Sequence, residues 1–297
     1  MTKHFHITAV LVALALAATS SNGQWHDDQE TSAESQIPKS RAPLVVTVDH
    51  FFAATTDPER LFRIFRDTFG LPVAWPFRSY GSFASGGLSV GNTALEFATG
   101  EVAKGEVLKT EWKMLAFEPA GDTETATAEL ARRGVAYSKP DVYTFKDPGG
   151  KKKVGWTNTG LNGPGLSDVA FICDYKARKK VADMHKKGAD ELARARGGPL
   201  GVRRLKAIVV GVTDLNRARQ EWRKLIDTPG QEQGDVFHFG AGPSIQLVSA
   251  LSPGMRESCF RWILWSEPRR FSPNDRCWRL RLEVRSPLRR RRSADLT

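Results

Sequence analysis

Cysteine is scarce, with three in 297 residues. That excludes a disulfide-dense scaffold, which needs several paired cysteines within a short chain. Long apolar runs are also missing. The longest, Ile7–Ala18, is well short of the ~20 residues that a membrane-crossing helix requires. No cysteine follows that run, which argues against a lipid-anchored leader. Lysine is absent from residues 256–297, a segment that carries twelve arginines. A charge excess that avoids lysine altogether has to be located before it is interpreted.

The formal net charge is +11, with 44 basic and 33 acidic side chains. Residues 1–255 hold 32 basic and 28 acidic groups, a net of +4, whereas residues 256–297 hold twelve and five, a net of +7. The globular part is thus nearly balanced, and polyanion binding is not its signature. The 40% content of hydrophobic residues and their clear patterning exclude a disordered chain. At the amino terminus, Lys3 precedes the apolar run, and small residues (Ala15, Ala18, Ser20, Gly23) follow within and after it. This order reads as a secretory signal peptide over 1–23, with a secreted or periplasmic product. A polar, acidic linker over 24–43 contains Pro38 and Pro43.

From Leu44 the chain repeats a unit. Leu44–Ala54 is a β-branched and aromatic run that predicts a strand. Asp57-Pro58 is an N-cap followed by a first helical position, and Leu61, Phe62, Ile64, Phe65 and Phe69 recur at helical spacing up to Gly70. VAWPF, FASGGLSV and TALEFAT then read as three short strands. The β-α-β-β-β order returns with a strand at Glu111–Glu118, a helix at Asp122–Arg133 and strands near 140–146, 153–157 and 167–173. A third copy begins with a strand at Leu205–Thr213 and a helix at Asp214–Ile226, followed by strands near 233–239 and 244–248. A basic helical segment, 176–199, joins the second copy to the third. A single copy cannot cover its own apolar face, so such units pair.

The phrases VTVDHFFAATTDPERLFRIFRDTFGLPV, GGLSVGNTALEFA and LKAIVVGVTDLNRARQEWRKL, in this tandem order, resemble the vicinal oxygen chelate superfamily. That group contains the glyoxalases, bleomycin-resistance proteins and extradiol dioxygenases. The resemblance covers roughly 44–250 and implies an α+β fold of tandem modules pairing into glyoxalase-like U-shaped sheets. One domain is expected over 44–175 and the first half of a second over 200–255. A fourth module should start near residue 256, where the composition changes instead. Trp262-Ile263 forces an aspartate codon when read two nucleotides further along, and Leu264-Trp265 forces leucine, valine or methionine two codons later. Ordinary codons then continue as D-S-L-E-R-A-A-A-F-L, close to the other two helix openings. The segment 256–297 therefore reads as frameshifted. The rival is a true arginine tail, Arg289–Arg292, contacting phosphates.

The resemblance also implies chemistry. In metal-using members a first-strand histidine and a last-strand glutamate from each module point inward. His50, seven residues before Asp57, and Glu96 in TALEFA occupy those positions. They are the expected ligands of a divalent metal (Zn, Ni, Mn or Fe), with Glu96 also the expected base. The second module offers Met114 or Leu115 for the histidine, and Asp168, Cys173 or Asp174 without a secure match. The third has Ala207 and Gln246. Two ligands bind a cation weakly, so a strand histidine bonded to Glu96 or to backbone competes with the metal reading. Trp75, Phe77, Phe83, Trp112, Phe117 and Trp156 are expected to wall an apolar pocket, with ordinary core packing as the alternative. His238 reads as a strand-face residue, Cys173 as a buried small hydrophobe and Lys151–Lys153 as a solvated hairpin tip. The expected function is binding of a small molecule beside a degenerate metal site. The alternative is a metal-dependent lyase, isomerase or dioxygenase acting on a small oxygen-rich substrate. No specific nucleic-acid partner and no membrane span after leader cleavage are expected; homodimerisation is left open.

Overall fold

The run Val45–Thr55 forms strand β1, alternating between two buried faces as a sheet-centre strand must. The structure is a computed structural model that describes residues 43–99, 110–146, 149–227, 229–251, 254–262 and 278–280. The expected leader, nearly all of the expected linker and most of the arginine-rich segment, including Arg289–Arg292, lie outside the described residues. After β1, the Asp57 carboxylate accepts from the Arg60 amide at 3.1 Å and Pro58 opens helix α1 (Pro58–Arg63). One wider π-type turn, Ile64–Thr68, continues it, and Gly70 ends it with φ 66. Strands β2 (Val73–Ser79), β3 (Ala84–Ser89) and β4 (Ala94–Thr99) complete the first module.

The second module is β5 (Glu111–Pro119), α2 (Thr123–Arg132), β6 (Ala136–Tyr137), β7 (Asp141–Lys146), β8 (Lys152–Asn162) and β9 (Ala170–Tyr175). Asp122 caps α2 through the Thr125 amide at 2.9 Å. Helix α3 (Arg178–Arg194) follows. The third module is β10 (Val202–Val212), α4 (Leu215–Arg223), β11 (Glu232–Gln233), β12 (Val236–Phe237) and β13 (Ser244–Ser249). Asp214 caps α4 through the Arg217 amide at 3.0 Å. All three modules thus start their helix with the same device, an aspartate just behind the first strand. Two further strands, β14 (Gly254–Trp262) and β15 (Trp278–Leu280), come after the third module.

Among the described residues the strands form two sheets. The first has nine strands in the order β2-β3-β4-β1-β5-β9-β8-β6, with β7 also paired to β8. Within each module the first strand runs parallel to the last, and the two first strands meet antiparallel along β1 and β5. The second sheet runs β11-β12-β13-β10-β14-β15. Here β10 is parallel to β13 and antiparallel to β14, so β14 stands to β10 as β5 stands to β1. The fold is α+β, built from tandem modules. No helix among the described residues is long and apolar enough to cross a membrane.

One core spans both sheets. Phe117 of β5 meets Phe239 at 4.7 Å and Trp222 of α4 at 6.2 Å between ring centroids, and all three are buried. The Trp222 indole donates to the Gly165 carbonyl at 3.0 Å, which satisfies its polar atom inside the core. The Asn92 side chain clasps β10, accepting from the Leu205 amide at 2.9 Å and donating to the Leu205 carbonyl at 3.1 Å. Beside it, Gly91 has φ 93, and a Cβ there would lie 2.3 Å from the Arg203 carbonyl oxygen. Only glycine fits so close an approach.

Candidate functional site

The site begins with an irregularity in β1. Val48 pairs with Phe117 and His50 with Ala116, so two residues of β1, Asp49 and His50, oppose a single step of β5. A bulge of this kind re-aims side chains that strict alternation would send to opposite faces. Both are buried, Asp49 at 1% and His50 at 5% exposure. His50 Nδ1 lies 2.6 Å from Asp49 Oδ2, and Nε2 lies 3.3 Å from Glu96 Oε2 on β4. Asp49 also accepts from the Tyr175 hydroxyl at 3.0 Å and has His185 Nε2 of α3 3.6 Å away. Trp75 and Phe171 flank the His50 ring edge-on, at 5.8 and 5.7 Å.

Burial opposes charge on this imidazole, but the hydrogen bond and charge of Asp49, helped by Glu96, more than offset it and raise the His50 pKa. Burial likewise works against the Asp49 anion. The combined pull of His50, His185 and Tyr175 still holds its pKa below the ordinary carboxylate value. The neighbours feel the same field. Burial, then the Asp49 charge, push the Tyr175 phenol and the Cys173 thiol well above their usual ranges. The centre is therefore a histidine between the side chains of Asp49 and Glu96 whose charged form is favoured, flanked by a phenol and a thiol whose ionisation is disfavoured.

Above it opens a cavity of about 760 Å³. Its floor is His50, Glu96 and Ser85, and its walls include Phe52, Trp75, Tyr80, Phe83, Tyr143 and Trp156. Tyr143 and Trp156 stack at 4.0 Å with 13° between planes, Tyr80 and Phe83 stack at 5.0 Å, and Tyr80 meets Trp156 edge-on at 5.6 Å. The Trp75 ring lies flat over β3 because position 87 is glycine; a Cβ on Gly87 would sit 2.4 Å from that ring. Exposed Arg78 and Lys180 stand at the mouth.

Of the residues expected from sequence, His50, Glu96, Trp75, Phe83 and Trp156 meet around this cavity. Phe77, Trp112 and Phe117 lie in the core instead. Phe77 packs on Phe62 at 5.9 Å, inside the register shift between Trp75 and Arg78. Trp112 packs on Phe51 at 5.3 Å, because a second shift in β5, between Phe51 and Ala53 of its partner, moves it off the face that carries Met114 and Ala116. Phe117 falls on the core-facing parity of the same strand. Sequence reasoning did not find Phe52, Tyr143 or Phe171. Phe52 follows from alternation two residues after His50, and Tyr143 from pairing with Trp156. Asp49 and His185 left no such signal, since one depends on a bulge and the other on where α3 docks.

Among the described residues the second module adds no histidine, aspartate or glutamate to the cavity lining. It supplies Phe171 and Cys173 to the cavity lining, with Met114 and Ala116 packed against them. Asp174 is used elsewhere, accepting from the Thr123 amide at 2.8 Å and its hydroxyl at 2.7 Å and pairing with Arg178. Asp168 sits in a turn with φ 59. In the third module Ala207 follows the corresponding bulge, between Leu205 and Ala207, and Gln246 pairs with Val209 as Glu96 pairs with Phe52. The backbone device is repeated, but the imidazole and the carboxylate are not. Among the described residues no group of three His, Cys, Asp or Glu side chains converges as metal ligands do. Two donors, already bound to each other, do not fit a resident metal.

Neither the family models nor the curated proteins gave a match to this sequence. Solved structures did. A hypothetical protein from Staphylococcus aureus is similar over 71% of this chain and 88% of its own, at 10% identity and TM-score 0.49. A variant of homoprotocatechuate 2,3-dioxygenase from B. fuscum is similar over 75% of this chain and 58% of its own, at 17% identity and TM-score 0.45. The enzyme of that name from Arthrobacter globiformis is similar over 75% of this chain and 65% of its own, at 15% identity and TM-score 0.46. This chain thus spans less than two thirds of either dioxygenase. The likeness is one of architecture at low identity.

Proposed function

We propose that this protein is a small-molecule binder of the vicinal oxygen chelate type that works without a metal, holding its ligand in the aromatic cavity of the first sheet. One observation carries the reading. His50 on the floor is bonded to Asp49 behind it at 2.6 Å and lies 3.3 Å from Glu96, while the opposite module brings Phe171 and Cys173 to the lining and no histidine or carboxylate. A largely apolar enclosure with a few convergent polar groups is the usual form of a ligand site.

The competing reading is a metal-dependent lyase, isomerase or dioxygenase. It draws on the placing of Asp49 behind His50 Nδ1, because a carboxylate there commonly orients a metal-bound imidazole. Metal analysis of the purified full chain separates the two. Sub-stoichiometric metal, unchanged by His50→Ala, with small molecules still bound, is the expected result. Stoichiometric metal lost in His50→Ala establishes the enzyme reading instead.

The same proposal includes export. The supporting pattern is Lys3, the apolar run Ile7–Ala18 and the small residues after it. Amino-terminal sequencing of the mature protein tests this, and a first residue before position 15 contradicts it. It also includes a frameshifted fourth module beyond β14, supported by the aspartate forced at Trp262-Ile263.

A further inference from the structure

We infer that the cavity is built for a flat aromatic anion, with its negative group at the mouth and a hydrogen-bond donor, N–H or O–H, at its inner end. This rests on the binder reading and assigns the chemical class of its ligand.

The lining is polar in an ordered way. At the mouth, Arg78 of β2 and Lys180 of α3 are exposed, and neither makes an ion pair among the described residues. The Arg78 guanidinium rests 4.8 Å from the Tyr80 ring centroid, so it is held against the wall of the cavity. Helix α3 packs against β2, which brings the two cations to one rim. At the inner end two acceptor oxygens meet no donor among the described residues. Glu96 spends one oxygen on His50, at 3.3 Å, and its other oxygen has no protein donor. Asn158 Oδ1, also in the lining, is buried and meets no donor. Asn158 Oδ1, buried and unpaired, is costly to leave so, and Glu96 offers a second free oxygen, so a ligand that fills the space is expected to bring donors inward. Between the two ends stand the stacked pairs Tyr143–Trp156 and Tyr80–Phe83, flat surfaces suited to a conjugated ring system. A neutral hydrocarbon would leave both ends unsatisfied. A cationic ligand would meet Arg78 and Lys180 on entry.

The test uses two dyes with one aromatic skeleton and one amine N–H. They are 8-anilinonaphthalene-1-sulfonate and its uncharged relative N-phenyl-1-naphthylamine, titrated into the full chain with dye fluorescence as the readout. The sulfonate is expected to bind about tenfold more tightly, an advantage that falls with added salt. Arg78→Ala/Lys180→Ala, at exposed positions, is expected to abolish that advantage, weakening the sulfonate far more than the neutral dye. Asn158→Leu is expected to weaken both dyes severalfold, and Trp156→Ala to weaken both strongly. Equal affinity for the two dyes, indifference of the sulfonate to the double variant, or tighter binding in Asn158→Leu overturns the ligand class while leaving a binding cavity in place. Absence of binding, or binding indifferent to Trp156→Ala, overturns the binder reading itself.

Discussion

Asp49 is enclosed by groups from three elements: His50 beside it on β1, Tyr175 at the end of β9 and His185 on α3. At this scale the charge network makes a pH prediction. The folded His50 pKa is raised, so its contribution to stability is complete below the ordinary histidine value and is lost as pH rises through the folded value. The folded Asp49 pKa is lowered, so its contribution is present above the ordinary carboxylate value and is lost as pH falls through the folded one. Both act fully between about pH 4 and 6.5. Asp49→Asn is expected to cost ~3 kcal/mol in that window, as removal of one member of a buried charge pair does. The cost should shrink at higher pH, where the imidazole no longer carries charge. Urea denaturation at pH 5.5 and pH 9 measures it, and an equal loss at both values contradicts the account. Elsewhere Glu129, held by Arg132 and Arg133, titrates at about 2. Its contribution disappears only as pH falls from the ordinary carboxylate range toward that value.

Among the elements, the helices announced themselves and the sheet surfaces did not. Asp57, Asp122 and Asp214, each placed two or three residues behind the first strand of its module, are caps that could be read directly, and each bonds the amide three residues on. Asp214→Ala is expected to cost about 1 kcal/mol, the usual worth of such a cap. Thermal unfolding checks it, and an unchanged midpoint would show that α4 is held by Trp222 alone. The side of the sheet on which each aromatic falls was less legible, because a period of two gives the facing of a residue only while the register is unbroken. β1 and β5 shift register three times along their length. Each shift moves later residues to the other face, which is how Trp112 leaves the cavity side and Asp49 joins His50. Glycine could have given one warning. FASGGLSV carries Gly86 and Gly87 in mid-strand, and Gly87 is where the Trp75 ring crosses β3. Gly87→Val is expected to displace that ring and open the cavity wall. A shift in the Trp75 contribution to the near-ultraviolet spectrum, with the far-ultraviolet spectrum unchanged, reads it out.

On the scale of the whole molecule, the two sheets are held together by an apolar seam and a buried cation. Arg133 is fully buried in its side chain, donating to Asp227 at 2.6 Å, to Glu129 at 2.5 Å and to the carbonyls of Lys224 and Ile226 at 3.1 Å. It ties the end of α2 to the segment after α4. Arg133→Ala is expected to cost ~3–5 kcal/mol, since it strands Asp227 and the two carbonyls; urea denaturation measures that loss. Among the described residues the third module has no complete counterpart across β10 and β14. β14 pairs with β10 through three register shifts, the same number as between β5 and β1, and those at Val202/Arg204 and Leu205/Ala207 correspond to Val45/Thr47 and Val48/His50. By backbone register it stands where the first strand of a fourth module would. In the other three modules an aspartate cap lies within three residues of that strand's end, after Thr55, Pro119 and Val212. The encoded chain has Ile263, Leu264 and Trp265 there, whereas the frame two nucleotides further along has an aspartate in that region whatever codons are used. The coding DNA is therefore expected to hold, in that frame, an open stretch with apolar residues at helical spacing and then three short strands. Expression of the frame-corrected chain is expected to raise the midpoint of thermal unfolding and to reduce dye binding outside the cavity, because the third module would gain the partner that its sheet lacks. A stop codon within a few triplets of position 262 in that frame, or a corrected chain no more stable than the encoded one, would sink the idea and return Arg289–Arg292 to consideration as a genuine phosphate-contacting tail.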